Sequence, residues 1–305
     1  MRSARHLGWG AVLIGLAALP YIGISDYTVG ILTLGLFFSV FAMSWDLLFG
    51  YAGEANFGAT FLIGTGAYTA ALISSHHLAS PIVCVIAGAA AAVVAGVALT
   101  LPALRLRGPY FGVVTLIAVL ILRQVIILFA PYTGGEIGLA VPDTLSIDVA
   151  TNYEIALGCA AVTAVVLLAL TRSPFGLILQ AGGQDGLKAQ TMGFSVVKHK
   201  LVAFCMSAFF SGTAGALMTF YLGSASLNVF VDATVGVQII IAAIIGGRRT
   251  ILGAALGGLV LTVANGYLQP FGGVSVMAIA IVAVLVLLFL RGGLFGLAAI
   301  WRRPA

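Results

Sequence analysis

Residues 80–104 read S-P-I-V-C-V-I-A-G-A-A-A-A-V-V-A-G-V-A-L-T-L-P-A-L, an unbroken run without a charge, and Arg105-Leu106-Arg107-Gly108-Pro109 follows at once. A helix that crosses the hydrocarbon core of a bilayer needs about 20 consecutive apolar residues. This run meets that length and is apolar on every face, which a helix on the surface of a soluble domain is not. The rest of the chain repeats the pattern. Of 305 residues 61% are hydrophobic and 8% are charged, against roughly 25% charged in ordinary globular chains. So few charges cannot cover the surface of a soluble fold of this size. The sequence therefore specifies an all-α polytopic membrane protein, with residues 1–305 forming a single transmembrane domain.

Ten apolar stretches are long enough to span, at about 7–25, 28–49, 53–74, 80–104, 109–130, 152–171, 200–222, 229–246, 251–269 and 274–290. Strands are disfavoured because the runs are continuous rather than alternating in tens. The positive-inside rule tests the count. With both termini in the cytoplasm, ten spans place every Lys and Arg except Arg123 on the inner side. The outer loops then hold Asp26, Glu136, Asp143, Asp148, Glu154 and Asp232 and no basic residue. A wrong count would scramble this segregation from the error onward. The net charge of +5 is thus topological and does not point to nucleic acid. Residues 131–151 form an outer loop and residues 172–200 an inner one. The first segment, with Arg2 and Arg5 ahead of an apolar run, also has the look of a signal peptide, but no small-x-small cleavage site ends it, so a retained helix is expected. Spans 53–74 and 229–246, rich in Gly and carrying Asp232 respectively, are candidates for discontinuous or re-entrant helices, which are tolerated where backbone lines a cavity.

Little in the chain suggests chemistry. Cys84, Cys159 and Cys205 are isolated and lie within spans, as buried small hydrophobes do, and no metal site is expected. There is no GxxxxGK[ST] phosphate loop, no HExxH and no catalytic triad. Gly64-Thr65-Gly66 begins like a dinucleotide fingerprint, but Thr69 stands where the third glycine belongs. Many of the 39 glycines fall at small-xxx-small spacing, such as Gly88, Ala92 and Gly96, and the expected role of these is close helix packing in lipid. No catalytic residue is assigned and the chain is not expected to be an enzyme.

Ionisable groups inside spans are the natural functional candidates. Asp46 lies near the inner end of the second span, where a solvated or capping role competes with a pathway role. Arg123 lies well into the fifth, facing either a water-filled route or backbone carbonyls. Their heights differ by roughly 15–20 Å at 1.5 Å per residue, so they are not expected to pair. Glu54 and Asn56 begin the third span, where a capping role again competes with a place on the substrate pathway. The inner loop 172–200 is far longer than a connection requires. With Leu177, Leu187, Ala189 and Met192 set among polar residues, it reads as an amphipathic helix held against either a cytoplasmic partner or lipid.

Several stretches resemble the permease subunits of branched-chain amino-acid ABC importers, the LivH/LivM group, and more closely the LivM type. They are G-Y-A-G (Gly50–Gly53), G-T-G-A-Y-T-A-A-L (Gly64–Leu72), L-R-L-R-G-P-Y-F (Leu104–Phe111) with Ile121-Leu122-Arg123, and T-G-G-E-I-G-L (Thr133–Leu139). R-S-P-F-G (Arg172–Gly176), K-L-V-A-F (Lys200–Phe204), G-T-A-G-A-L (Gly212–Leu217), I-I-G-G (Ile244–Gly247) and G-A-A-L-G (Gly253–Gly257) continue it in unchanged order. The resemblance implies the ABC-importer permease fold in a bacterial inner membrane. It also implies a heterodimer with a sister permease, two cytoplasmic ATPases that bind ATP and Mg, and a periplasmic substrate-binding protein. No cofactor is implied on this chain. Gln184, Asp185, Lys188 and Gly193 fall where the family docks its ATPase through a coupling helix. That helix is usually an acidic, Ala-rich run. Here it carries Gly182, Gly183 and Gly186, and each glycine costs about 1 kcal/mol of helix propensity relative to Ala. Near the start of the third span the family commonly has Gln-x-Ser-x-Gly-His, whereas this chain has Glu54, Asn56, Gly58 and Ala59. The cargo is thus open among a branched-chain amino acid, another amino acid, a urea-like amide and a small carboxylate. The rival reading is an ion-coupled secondary transporter built from a five-plus-five inverted repeat, in which the first helix of each half would be broken.

Overall fold

The computed structural model describes residues 15–104 and 110–269. The tenth expected span lies outside the described residues, as do residues 7–14 of the first and residues 105–109. Seven helices among the described residues are long and apolar enough to cross a bilayer, and a shorter apolar helix lies between two of them. In chain order we label α1 (Asp26–Asp46), α2 (Ala59–Ser75), α3 (Pro81–Ala103), α4 (Tyr110–Leu128) and α5 (Val149–Arg172). Then come α6 (Pro174–Gln184), α7 (Gly186–Thr191), α8 (Val196–Leu222), α9 (Ala233–Gly246) and α10 (Ile251–Leu268). The eight expected spans from 28–49 to 251–269 each correspond to one of these helices.

Helix α1 is the axis of the bundle. With its continuation it is 83% buried over its apolar window, against 28% for α3 and 33% for α4, α5 and α10. It packs against α10, α5, α8 and α9, while α2 is wedged between α3 and α8. Apolarity alone does not join helices in lipid, so close backbone approach must. The glycines provide it. A Cβ on Gly66 of α2 would sit 2.6 Å from the Gly212 Cα of α8, and one on Gly88 of α3 would sit 2.6 Å from the Gly66 carbonyl oxygen.

Both spans expected to be irregular are so. The third begins as a helix only at Ala59, because Gly53 turns the chain through φ +72° and the Asn56 side chain accepts the Gly58 N–H at 2.8 Å to form a turn. Glu54 and Asn56 therefore lie in a loop ahead of α2 and do not open it, which corrects the boundary at 53. The segment around 229–246 starts with the turn Leu227–Phe230, breaks at Val231-Asp232 and resumes as α9. Asp232 caps the resumed helix by accepting the Thr234 N–H at 2.7 Å. Helix α1 ends in a π-helical segment, Leu47–Tyr51, of the kind that often marks functional positions in helices.

The loops sort onto two sides. Loop 131–151, expected on the outer side, carries β1 (Leu139–Ala140), which pairs antiparallel with β2 (Ser224–Ala225) beyond α8. Asp143 in the same loop accepts a hydrogen bond from Ser74 at the end of α2. On the opposite side the 47–58 segment, the 172–200 loop and the α9–α10 connection meet one another. Each group contains only loops that the charge pattern assigns to one face.

Candidate functional site

The junction of the 47–58 segment, the 172–200 loop and the α9–α10 connection, expected on the inner side, is built around Asp46. Its carboxylate is 1% exposed, not solvated. One oxygen accepts the backbone N–H of Arg249 at 3.0 Å, and the other is buried without a partner. Asp46 thereby anchors the turn that enters α10, where Gly247 sits at φ +116° and Arg249 at +64°. The Arg249 side chain donates back to the Gly50 carbonyl at 2.9 Å, and the Tyr51 hydroxyl donates to the Arg249 carbonyl at 2.8 Å. Close approach at Gly50 permits this, since a Cβ there would stand 2.9 Å from the Arg249 nitrogen. The capping role open for Asp46 is thus the one its geometry fits, although the group it caps comes from a loop some two hundred residues away.

Two further links tie this junction to the 172–200 loop. Gly53 abuts Gly183 of α6, whose carbonyl oxygen would lie 2.6 Å from a Cβ on Gly53. Glu54 pairs with Lys200 at 2.5 Å, with side chains 21% and 17% exposed. Replacing Glu54 with Gln leaves a mostly buried ammonium facing a neutral amide, and we expect a loss of about 1–3 kcal/mol. Adding Lys200→Met should restore most of it. Thermal unfolding of the purified single and double variants in detergent checks this, and equal stability of Glu54→Gln and parent would refute it. Asn56, 1% exposed, also receives the Trp45 indole N–H on its backbone carbonyl at 2.6 Å. Its side chain is spent on the turn before α2.

The inner loop folds as two helices rather than one. Pro174 opens α6, and Asp185 separates α6 from α7 while capping α7 through the Lys188 N–H at 3.1 Å. Asp185 also pairs with the Lys188 ammonium at 3.0 Å. The Lys188 N–H and ammonium hold the Asp185 carboxyl below its ordinary range. Gly193, at φ +87°, ends the segment. Of the four residues expected to couple to an ATPase, Asp185, Lys188 and Gly193 shape the helix pair, and Gln184 is exposed. Among the exposed side chains of this segment two are large and apolar, Leu187 at 72% and Met192 at 74% exposed, beside the exposed Lys188. Ala189 instead turns inward at 4%.

Arg123 does not reach Asp46. It meets Asp232 at 3.5 Å, with side chains 40% and 26% exposed. Nothing in the spacing points to this partner, because the break at Val231-Asp232 brings a residue assigned to an outer loop back toward α4. Gly64 makes room for the break: a Cβ there would lie 2.6 Å from a Val231 methyl and 3.0 Å from the Phe230 carbonyl oxygen. The Gly64-Thr65-Gly66 text that imitates a nucleotide fingerprint is thus a two-sided packing device.

Comparison with known proteins gives this architecture a family. Residues 27–299 match the family described as branched-chain amino acid transport system / permease component. The chain is 27% identical to the high-affinity branched-chain amino acid transport system permease protein LivM of Escherichia coli, over 96% of this chain and 72% of that protein. It is 34% identical to a probable LivH permease protein of Methanocaldococcus jannaschii over 32% of this chain and 30% of that protein. It is also 25% identical to the ribose import permease protein RbsC of Haemophilus influenzae over 52% of this chain and 51% of that protein. No solved structure matches. With its apolar helices, the chain is a multi-pass inner-membrane transport subunit, and it belongs to the branched-chain amino acid permease family, on the LivM side of it.

Proposed function

We propose that this chain is a translocation subunit of an ATP-driven importer that carries a small polar solute, a branched-chain or related amino acid, from periplasm to cytoplasm. In this reading it pairs with a sister permease and receives cargo from a periplasmic binding protein. Two cytoplasmic ATPases, which bind ATP and Mg on their own chains, dock on α6–α7. Both termini lie in the cytoplasm and ten helices cross the membrane.

The observation that carries the reading is the exposed apolar pair of Leu187 on α7 and Met192 just past its end. This helix and α6 form a unit tied by glycine-to-glycine backbone contact to the end of the axial helix. A partner that moves α6–α7 would move the 50–54 segment, and with it the Asp46–Arg249 junction. Family membership and relatives of both LivH and LivM type support a second permease. The uninterrupted α5, the sixth expected span, argues against an inverted repeat with a broken first helix in each half.

The test is isolation of the chain from its native membrane. ATPase subunits and a second permease should co-purify, and the reconstituted assembly should take up cargo only with ATP and the binding protein. Ion-driven uptake by the chain alone would replace this reading with the secondary transporter. The reading also assigns Arg123 to the solute route, because a half-exposed guanidinium at that depth needs water or a polar solute beside it. Arg123→Leu should therefore abolish uptake while leaving the purified assembly intact. Unaffected uptake would return Arg123 and Asp232 to a packing role.

A further inference from the structure

In the orientation proposed above, Arg123 lies five residues short of the outer end of α4 at Leu128, about 7.5 Å at 1.5 Å per residue. Every other Lys and Arg falls on the inner side, and the outer loops carry acids. A carboxylate arriving from outside therefore meets one permanently charged cation, Arg123. Its neighbour Asp232 is held in place: one carboxylate oxygen caps α9 by accepting the Thr234 N–H at 2.7 Å, and Phe230 and Val231 just before it are buried against Gly64 of α2. Arg123 reaches the other oxygen, at 3.5 Å, from a long stem, and both side chains keep part of their surface open. Charge-assisted N–H···O contacts usually close to about 2.7–2.9 Å, so this pair is loose. A guanidinium carries five N–H donors, and the contact with Asp232 uses one of them. A pair that served packing alone would be closed and covered.

Because the two side chains stand 3.5 Å apart, a ligand that engages both must carry an anion and a cation close together. An α-amino acid does, with one carbon between its carboxylate and its ammonium. A lone carboxylate would be drawn to Arg123 and repelled by Asp232, and a lone ammonium the reverse. We infer that Arg123 and Asp232 form a recognition site at the outer mouth for the zwitterionic head of an α-amino acid. Arg123 turns from Asp232 to the carboxylate of the cargo, and Asp232 accepts its ammonium. Of the cargoes the sequence leaves open, the site selects an amino acid over a urea-like amide or a small carboxylate. The inference rests on the importer reading for the side from which cargo arrives, and deepens it by naming the groups that read the cargo's charges.

Protection of a neighbouring cysteine tests the site. Ala233→Cys alters the half-buried residue that follows Asp232. The full chain, with the subunits that co-purify with it, is held in a maltoside detergent, whose headgroup carries no charge. The rate of modification by hydroxyethyl methanethiosulfonate is read above that of the parental cysteines. Leucine should slow it. Leucinamide lacks the carboxylate and isocaproate lacks the ammonium, and each should need at least about tenfold more for the same protection, since each forgoes a hydrogen bond between charged groups. Glycerophosphoethanolamine, whose charges are set farther apart, tests a lipid headgroup as occupant and should not protect at the leucine concentration. Arg123→Gln and Asp232→Asn should each abolish protection by leucine, and the asparagine still caps α9. The site is overturned by absence of protection by leucine, by equal protection from leucine and either analogue, or by protection that survives in either variant. Protection by glycerophosphoethanolamine as good as that by leucine would overturn it in favour of lipid. The analogue comparison keeps the pair intact, so it decides the matter even where a variant fails to assemble. Modification requires neither ATP nor the binding protein. Failure of ATP-driven uptake would therefore sink the importer reading while leaving this result standing.

Discussion

Gly193→Arg should abolish ATP-driven uptake while leaving the amount of protein in the membrane unchanged. Gly193 ends α7, with its N–H bonded to the Gln190 carbonyl at 2.9 Å and the Phe194 N–H returning to Ala189 at 3.2 Å. Among the described residues nothing lies within 4 Å of a Cβ built there, so an arginine side chain starts into open space on the face proposed to meet the partner. The backbone at φ +87° adds a local cost of about 1–2 kcal/mol for a residue other than glycine, which is too little to unfold a bundle of eight packed helices. Gly193→Asn separates the two effects, because asparagine tolerates that conformation better than other side chains and adds little bulk. Uptake should survive in Gly193→Asn and vanish in Gly193→Arg. Met192→Asp places a charge on the proposed docking surface and should reproduce the loss. Normal uptake by Gly193→Arg would remove α6–α7 from the coupling role.

The parts of this molecule that the sequence made legible are those set by composition and charge. A run such as 80–104 can only be a lipid-crossing helix, and the segregation of Lys and Arg sorts the described loops onto the two faces where the structure brings them together. Irregularity was legible as well: Gly53, Asn56 and Asp232 are residues that cap or turn, and the chain breaks at each. What the sequence concealed are pairings across long separations. Asp46 and Arg249, Glu54 and Lys200, and Arg123 and Asp232 are each more than a hundred residues apart, and no spacing rule links them. The role of the glycines at 182–186 was hidden for a related reason. Taken alone, Gly182 and Gly183 weaken α6. In the structure Gly182 lies against Val196, a methyl of which would be 2.8 Å from its Cβ, and Gly183 lies against the Tyr51–Ala52 backbone. Propensity was given up for contact.

The same trade sets the largest effect on stability. Gly66 of α2 faces Gly212 of α8 on one side and Gly88 of α3 on the other; a Cβ added at Gly66 would fall 2.6 Å from the Gly212 Cα, and one at Gly88 2.6 Å from the Gly66 carbonyl oxygen, both well inside van der Waals contact. A flexible side chain could move aside, but a helix backbone cannot without separating the bundle. Gly66→Ala should therefore destabilise by about 3 kcal/mol or more, at or beyond the upper end for overpacked cores. Gly66→Leu should fail to accumulate in the membrane at all. Gly158 on α5 is the internal control, because nothing lies within 4 Å of a Cβ there. Gly158→Ala should be neutral or stabilising by up to about 1 kcal/mol through helix propensity alone. Thermal unfolding of the purified variants reads both signs in one assay. If Gly66→Ala were as stable as Gly158→Ala, the wedge of α2 between α3 and α8 would have to be looser than the Gly66–Gly212 contact allows. Close approach would then not be what joins these helices.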